Sequence, residues 1–469
     1  LGPTANVILE ATGDVTIDDI TGVYSGINNS IELGLTSGSL QITSTNGSII
    51  FTDLNDSIST RGGDITLTAD SDITVGALET SFIDEIGPLV GDVALNAGNN
   101  IAVRSIDTDI LGTGGTVILT ANNNIDAGPI NASSAIVTLT ATIGDISFET
   151  IRTGTGSNGG QVDLTAGGDI IGSSLFPEDV IIDTSSASEI GGGITVSAGG
   201  NVDIFNLNAL GSTGGGAIQV NAGGDIGTGI LDSSTIGGAG GNISLTSSSG
   251  SIDTNTIIDG GEGAIGGIIN AFASQGTGGS IALTALGPVT LAEDVITNGN
   301  SLVAIAGSSI DVNNITAQSI ELRAGTTITQ DVTTSINTTN LGIAAAATPT
   351  LNLGTSDIVT LAADISGAGN PFSFSDNNGL TVGQVGSLAG ISTNGGSVTL
   401  DVTGDLTVSQ PISASGAAVL QATDTIVLDD NIQADADTGN ALNVTLNADR
   451  DGVGGGAILM NAGSAIVTN

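Results

Sequence analysis

Apolar and polar residues alternate along most of the chain in short runs that close on a phrase of the type Leu-Thr-Ala. A pair of glycines and a polar residue usually precede each run. Clear copies are GGDITLTA (62–69), GGTVILTA (114–121), GGQVDLTA (159–166), GGGITVSA (191–198), GGAIQVNA (215–222), GGNISLTS (240–247), GGSIALTA (278–285) and GGSVTLDV (395–402). Period-two alternation over four to six residues predicts a strand with one buried face.

A fixed spacing follows each phrase. When the Leu or Val of the phrase is taken as an anchor, a second apolar residue comes six positions later, as Ile73 follows Leu67. A third comes about five positions further on; these third positions are Leu78, Ile106, Ile130, Ile151, Leu175, Leu207, Leu231, Ile257, Val295, Val332, Ile412 and Ile432. The repeat therefore predicts three short strands per unit.

The breaks between the runs are rich in Gly, Asn and Asp, which predicts sharp corners with positive φ angles. Excess length falls between the third apolar position and the next glycine pair, for example from 259 to 278. We therefore expect an all-β fold, a right-handed parallel β-helix. It would be a three-sided solenoid with coils of about 20 residues and insertions at one corner. A meander of hairpins is the alternative, but it would show Asn-Gly or Asp-Gly turns between runs of similar length.

The domain prediction is a single continuous rod over 1–469. Its repeats are weaker at 1–60, and irregular loops are expected at 335–394, where AAAATP and NPFSFSDNNG interrupt the pattern. Neither end looks like a cap, which suggests a segment of a longer polypeptide.

Composition then narrows the function. The 469 residues include 73 Gly, no Cys and no His, and the five basic residues are all Arg, against 48 acidic residues and a net charge of −43. Zinc sites of the usual kind, thiolate nucleophiles and Ser-His-Asp triads are excluded, as are lysine-dependent phosphate loops and Schiff bases. So negative a chain is not expected to bind nucleic acid or anionic membranes. No apolar run is long enough for a transmembrane helix.

The phrase GG-polar-Ile/Val-x-Leu-Thr-Ala-Gly-Gly-Asp/Asn-Ile resembles the repeats of filamentous-haemagglutinin-type exoproteins, the secreted partners of two-partner secretion systems in Gram-negative bacteria. The resemblance covers about 60–469, and IDTSSAS (182–188) is similar to wording in very large cyanobacterial surface proteins of that type. It implies a long β-helical rod outside the cell or on its surface, used for adhesion, biofilm or toxin delivery. The family's amino-terminal secretion domain is not recognisable.

Three pairs of adjacent carboxylates were considered as catalytic groups: Asp18/Asp19, Glu293/Asp294 and Asp429/Asp430. Neighbouring residues of a strand point to opposite faces, so no pair converges by itself. None has an Arg beside it. We therefore predict no catalytic residue, no bound cofactor and no enzyme activity.

Aspartates at corners, such as Asp169, Asp225 and Asp405, could stack and bind a hard cation. The calcium-binding nonapeptide GGxGxDxUx is absent in tandem. We expect calcium, if bound, to be held loosely and to screen the charge; the identity of any metal ligand is left open.

Alternating Thr residues, as in ITLT (65–68) and VTLT (137–140), raise the possibility of a flat ice-binding face. Outward positions in other coils are Asp163, Gln219, Ser244 and Ala282. The sequence therefore predicts that no Thr array persists.

The function that best fits these observations is a structural protein of the cell surface or extracellular space, a filament, surface fibre or adhesin stalk. It would self-associate end to end or laterally, with surface glycans as possible partners. The alternative is a carbohydrate-binding or polysaccharide-cleaving β-helix with its site in 259–277 or 335–394. The scarcity of aromatic residues, with Tyr24 the only Tyr, disfavours it. A passive spacer for a distant active tip is the third hypothesis.

Overall fold

The computed structural model describes residues 6–18, 30–33, 38–83, 85, 87–154, 156–172, 182–254, 267–291, 293–331, 333–351, 358–435 and 441–468. Within these ranges the regular structure is entirely β, and nearly all strand pairs are parallel. The fold is a parallel β-solenoid, which confirms the predicted class. The chain divides into two compact units: unit one is Leu1–Ser248 with Thr256–Gly279, and unit two is Ser249–Asn255 with Ser280–Asn469.

Unit one is built from three stacks of strands, because each turn of the chain contributes a strand to each stack. The first stack contains Val7–Ala11, Leu40–Ser44, Ile65–Ala69, Val93–Ala97, Val117–Ala121, Val137–Ala141, Val162–Ala166, Ile194–Ala198, Ile218–Ala222 and Ile243–Ser247. The second contains Val15–Ile17, Ile49–Phe51, Ile125–Ala127, Ile146–Phe148 and Ile170–Gly172. The third contains Ser30–Glu32, Ser57–Ser59, Ile130–Asn131, Ile151–Arg152, Ile182–Asp183 and Ile268–Asn270. Longer strands take part in both the second and the third stack: Ile73–Glu79, Ile101–Asp107, Val202–Asn208 and Ile226–Asp232.

The register follows the spacing in the sequence. Leu67, Leu95 and Leu119 are aligned in neighbouring strands of the first stack, and Ile73, Ile101 and Ile125 in the second. All six side chains are at most 1% exposed. Each turn therefore adds one inward residue to every column of a continuous apolar core.

Two predicted third positions of unit one, Leu175 and Ile257, lie outside the described residues. In the third stack, Ile151 pairs with Ile182 and Leu231 pairs with Ile269. In the turn that contains Gly172 and Ile182, the additional residues therefore lie between the second-stack strand and the third-stack strand. The sequence pattern predicts additional residues only after the third strand. Insertions are not confined to one corner, although the hairpin formed by Phe82–Ile83 and Pro88–Leu89 does follow a third strand.

Unit two begins with the same arrangement. Its first stack contains Ile281–Ala285, Ser301–Ala306, Ser319–Ala324, Asn340–Ala345 and Thr360–Ile365. The second contains Ile252–Asp253, Val289–Thr290, Ile310–Val312 and Ile328–Gln330, and the third contains Asp294–Ile296, Asn314–Thr316 and Ile336–Asn337. Ile336 aligns with Ile315 in the third stack; Val332, predicted for this position, lies outside the described residues.

The phase of the coil shifts at the strand Thr360–Ile365. Its first residues pair with Leu380–Val382 and its last residues with Ile391–Thr393. From there the columns continue as Leu406–Val408, Ile426–Leu428 and Ile458–Met460, and as Ile412–Ala414, Ile432–Ala434 and Ile466–Val467. A new stack contains Phe372–Asp376, Val398–Val402, Gly416–Ala422 and Leu442–Asn447. One first-stack strand is therefore followed by two strands of the next turn.

The predicted positive φ is found at some corner glycines, such as Gly62 at 98° and Gly395 at 82°, but other corner glycines have a different role. Gly115, Gly192 and Gly216 do not have positive φ. A Cβ placed on any of them would lie only 2.0–2.1 Å from a glycine carbonyl oxygen of the preceding turn. Glycine is needed at these positions because two turns bring their backbones too close for a side chain.

The right-handed sense of the coil and its organisation as one continuous rod over 1–469 stay predictions.

Candidate functional site

The predicted acidic pairs lie at separate corners. In unit one, Asp18 accepts a hydrogen bond from the Thr52 hydroxyl at 3.0 Å, while Asp19 lies outside the described residues. In unit two, Asp429 accepts a hydrogen bond from the Asn461 amide and Asp430 from the Asn431 backbone N–H. Asp429 and Asp430 thus bond to different partners.

Glu293 and Asp294 occupy a further corner of unit two, where Asp294 begins a third-stack strand. Glu293 is exposed, and its carbonyl oxygen accepts the Asn314 backbone N–H at 3.0 Å. Of the five Arg, none is recorded in an ion pair with either residue.

The corner aspartates form part of a ladder in unit one. The Asp169 carboxylate accepts the Asn201 backbone N–H at 2.6 Å, and Asn201 accepts the Asp225 N–H at 2.8 Å. The same bond, at 2.6–3.1 Å, links successive members of the series Asp72, Asn100, Asn124, Asp145, Asp169, Asn201 and Asp225. Along the series, the side-chain oxygen of one member accepts a hydrogen bond from the backbone N–H of the next member, one turn further on.

In unit two, Asp405 does the same for Thr425 at 2.9 Å. Across the described ranges, no group of three or more Asp and Glu side chains is arranged to hold a metal ion. Of the corner carboxylates that the sequence suggested for calcium, Asp169 and Asp405 thus bond to backbone N–H groups.

Sequence reasoning missed a second ladder of buried hydroxyls. The Thr184 hydroxyl, 0% exposed, donates to the Gly192 carbonyl oxygen at 2.7 Å, and Thr153 donates to the Gly160 oxygen at the same distance. Equivalent bonds come from Thr80, Thr108, Ser233 and Thr393. They close the corner between the third strand and the glycines that open the next turn. The signal was present: Thr or Ser often stands two residues after the third apolar position.

An ionic cluster lies on the outer surface of unit two. The hairpin of Gln384–Val385 and Leu388–Ala389 covers the first stack, and Val385 and Leu388 pack on Ala362. Beneath it, the Glu321 side chain is 9% exposed and receives the Ser387 hydroxyl at 2.6 Å.

Arg323 completes this hairpin cluster. Its guanidinium lies 3.3 Å from Glu321 and also contacts the Ser387 hydroxyl. The Ser387 N–H donates to the second Glu321 oxygen at 3.2 Å. Because the carboxylate is neutralised and the hydroxyl is used as a donor, the cluster fits a clamp on the hairpin better than an activated nucleophile. No local pattern marks this contact, since the hairpin lies far from Glu321 in the sequence.

Open depressions of about 260 and 320 Å³ flank the Arg323 side chain, and Asp364 lines both of them. In both depressions the Arg323 guanidinium and the Asp364 carboxylate line the same surface. Such a surface can accommodate a small polar ligand.

The outer face of the third stack in unit one is acidic over its first strands, beyond which the same column continues with Asn131 and Arg152. One outward column contains Glu32, Ser59, Glu79 and Asp107 in successive strands. Partial desolvation, and then the neighbouring Asp107 and Glu32 charges, raise the pKa of Glu79 above its ordinary value. Desolvation also raises the pKa of Asp107, although a backbone hydrogen bond from Asp109 opposes it.

This column predicts that Glu79→Gln stabilises unit one at neutral pH. A carboxyl whose pKa is raised by folding favours the native state below its unfolded pKa, and this contribution is lost as pH rises through the folded pKa. The melting temperature of the variant should therefore exceed that of the wild type at pH 7, and the difference should shrink as the pH falls toward the range where Glu79 is protonated. Thermal melts at several pH values measure it.

Glu10→Gln in the first stack is the control and should show a smaller difference at pH 7. If the Glu79→Gln variant is less stable than wild type at pH 7, the charged Glu79 carboxylate is not destabilised by burial and by the neighbouring acidic charges, and the prediction is wrong.

The outer face of the first stack in unit one carries two columns of mostly polar and small side chains. Each strand from Leu40–Ser44 to Ile243–Ser247 has two outward side chains. One column is interrupted, as predicted: Gln41, Thr66, Ala94, Ile118, Thr138, Asp163, Thr195, Gln219 and Ser244. The other contains only Thr, Ser and Asn: Thr43, Thr68, Asn96, Thr120, Thr140, Thr165, Ser197, Asn221 and Thr246. As predicted, no unbroken array of Thr persists: Asn96, Ser197 and Asn221 interrupt this second column.

Comparison of the chain with protein-family models, curated proteins and solved structures found no match. No described segment forms a helix long and apolar enough to cross a membrane. The fold and its ladders define the class: the chain is a parallel β-solenoid repeat protein.

Proposed function

We propose that the chain is a structural element of the cell surface or extracellular space, a β-solenoid rod that serves as a filament segment, surface fibre or adhesin stalk. The observation that supports this role is the turn-to-turn bonding. Corner Asp, Asn and Thr side chains bond to the backbone of neighbouring turns, and inward positions hold apolar columns. Such a protein presents a long, repetitive surface, and its stability is a sum of local contacts.

Self-association is part of this proposed function. The charged residues are mainly acidic, which suits a solvated surface outside the cell and screening by divalent cations. Resemblance of the repeat phrase to filamentous-haemagglutinin-type exoproteins supports export, and a Gram-negative-type cell surface is the location we propose.

Electron microscopy of the purified chain tests this proposal. We expect elongated particles, with fibres or bundles as concentration rises and calcium is added. Compact particles would refute the rod, whereas isolated short rods at high concentration with calcium would argue against self-association only.

Limited proteolysis tests the rigidity that a stalk requires. Arg104 and Arg323 lie within the hydrogen-bonded strands Ile101–Asp107 and Ser319–Ala324. Arg450 lies in the turn that precedes Ile458–Met460, and only its ion pair to Asp401 at 2.7 Å restrains the side chain. Under native conditions we expect trypsin to cut first at Arg450 and slowly at Arg104 and Arg323. Mass spectrometry of the fragments gives the order, and early cleavage at Arg104 or Arg323 would contradict it.

A second candidate function is binding of acidic surface glycans at the hairpin cluster. The observation that favours it is the pair of depressions around Arg323, lined by Asp364 and serines. A glycan array with the wild-type chain and Arg323→Gln tests it, and binding that the substitution does not reduce would exclude this site.

A further inference from the structure

The outer face of the first stack in unit one is nearly free of charge from Leu40–Ser44 onward, whereas the preceding strand Val7–Ala11 carries the exposed Glu10 beside Thr43. We call it the charge-poor face: the two outward columns of the strands from Leu40–Ser44 to Ile243–Ser247. Asp163 is its only ionisable residue, and both oxygens of this carboxylate accept hydrogen bonds from Gln161, at 2.9 and 3.0 Å. Of the 48 acidic residues in the chain, only one therefore occupies any of the 18 outward positions of this face.

The charge-poor face contrasts with the acidic third-stack column, and this difference suggests that the charge-poor face makes a contact with another molecule. Two copies of a chain with net charge −43 repel each other, so a close contact between them needs surfaces without charge. The charge-poor face meets this condition, whereas the column of Glu32, Glu79 and Asp107 does not.

The size of the face is also sufficient. Nine strands spaced by about 4.8 Å, with five residues each at about 3.3 Å, give roughly 700 Å². Two such faces bury about 1,400 Å² in total, above the roughly 1,000 Å² that a specific interface needs.

The chemistry of the face favours a second copy over other partners. Near the middle, Ile118 is 44% exposed, and it is surrounded by Ala94, Thr120 and Thr138. Thr, Ser, Asn and Gln side chains both donate and accept hydrogen bonds, so the face can bond to itself. It has no aromatic side chain to stack on a sugar and no cation for a phosphate. Neither of its two columns is uniform, which disfavours ice.

We propose that two copies of the chain associate laterally through the charge-poor face. This inference deepens the proposed function, because it names the surface by which rods would bundle. It assumes the structural role and adds a contact to it.

Sedimentation velocity of the full chain over a concentration series at physiological ionic strength tests the proposal. Ile118→Asp places a new carboxylate on the face of each copy and should weaken the dimer by about tenfold or more in Kd. The matched control is Ile171→Asp. Ile171 is 42% exposed, but it points outward from the second stack, so this variant should dimerise like wild type.

The outcomes separate this inference from the broader proposal. If wild type and both variants associate equally, copies meet elsewhere, which overturns the lateral contact but leaves the structural role. A wild-type chain that stays monomeric at every concentration also overturns it. Thermal hysteresis that Ile118→Asp abolishes in a monomeric chain would assign the face to ice instead. Circular dichroism of both variants confirms that they remain folded.

Discussion

Replacing Gly192 with Ala should destabilise unit one by about 1–3 kcal/mol or more, the range for overpacking a filled position. The same change at the next residue, Gly193, should be neutral or slightly stabilising. A Cβ on Gly192 would lie 2.0 Å from the Gly160 carbonyl oxygen, and that atom is backbone and cannot rotate away. The Gly192 carbonyl also accepts the buried Thr184 hydroxyl, so a shift of this corner strains a second bond.

Gly193 provides a control within the same glycine run. A Cβ there meets nothing closer than the Ala217 carbonyl oxygen at 3.8 Å, which is an ordinary contact, and its φ is not positive. Gly→Ala at such a position reduces the entropy of the unfolded chain and stabilises by about 0.4–1 kcal/mol.

Urea denaturation followed by circular dichroism compares the two variants, and hydrogen exchange locates the weakened turns. Protection should fall around the strands Ile194–Ala198 and Ile182–Asp183 more than in distant turns. Equal stability of the two variants would show that the turns can separate at this corner without cost.

This pair of glycines also shows where sequence reasoning succeeds and fails. The alternation around the anchor residues is a local property, so it predicted the first-stack strands of unit one correctly, whereas the third position differed where a turn carries extra residues, as at Ile182. The glycines were assigned to the right corners, but for some of them, such as Gly192, the reason is not positive φ. Positive φ is a property of one residue, whereas the approach of Gly160 and Gly192 is a property of two stacked turns.

Other features of the fold also depend on contacts between turns, which local sequence patterns do not show. A column such as Thr43, Thr68 and Asn96 becomes visible only when the register is known, because coils differ in length and the residues are not periodic in the sequence. The phase shift at Thr360–Ile365 depends on one strand pairing with two others, which no local pattern encodes. Burial of Glu321 depends on a hairpin 66 residues away.

Truncating an inward residue of a stacked column should lower stability mainly in the turns next to it. The substitution Leu139→Ala tests this expectation. Leu139 is 0% exposed and aligns with Leu119 in the preceding turn and Leu164 in the following one. Truncating a buried Leu costs about 2–5 kcal/mol, according to how far the surroundings collapse into the cavity. Unit two indicates that some collapse is possible, because Ala304 occupies the equivalent column and is also 0% exposed.

Thr138→Ala is the matched control, since Thr138 precedes Leu139 in the same strand but points outward. Its effect should stay within about 0.5 kcal/mol when measured at a protein concentration low enough to avoid association. Because each turn contacts only its neighbours, Leu139→Ala should open the turns around Val137–Ala141 at lower urea than the turns around Ile218–Ala222. Hydrogen exchange with mass spectrometry resolves these segments. If both segments open together in the variant, unit one unfolds as a single cooperative block, and its stability is not the sum of nearest-neighbour terms on which the stalk proposal depends.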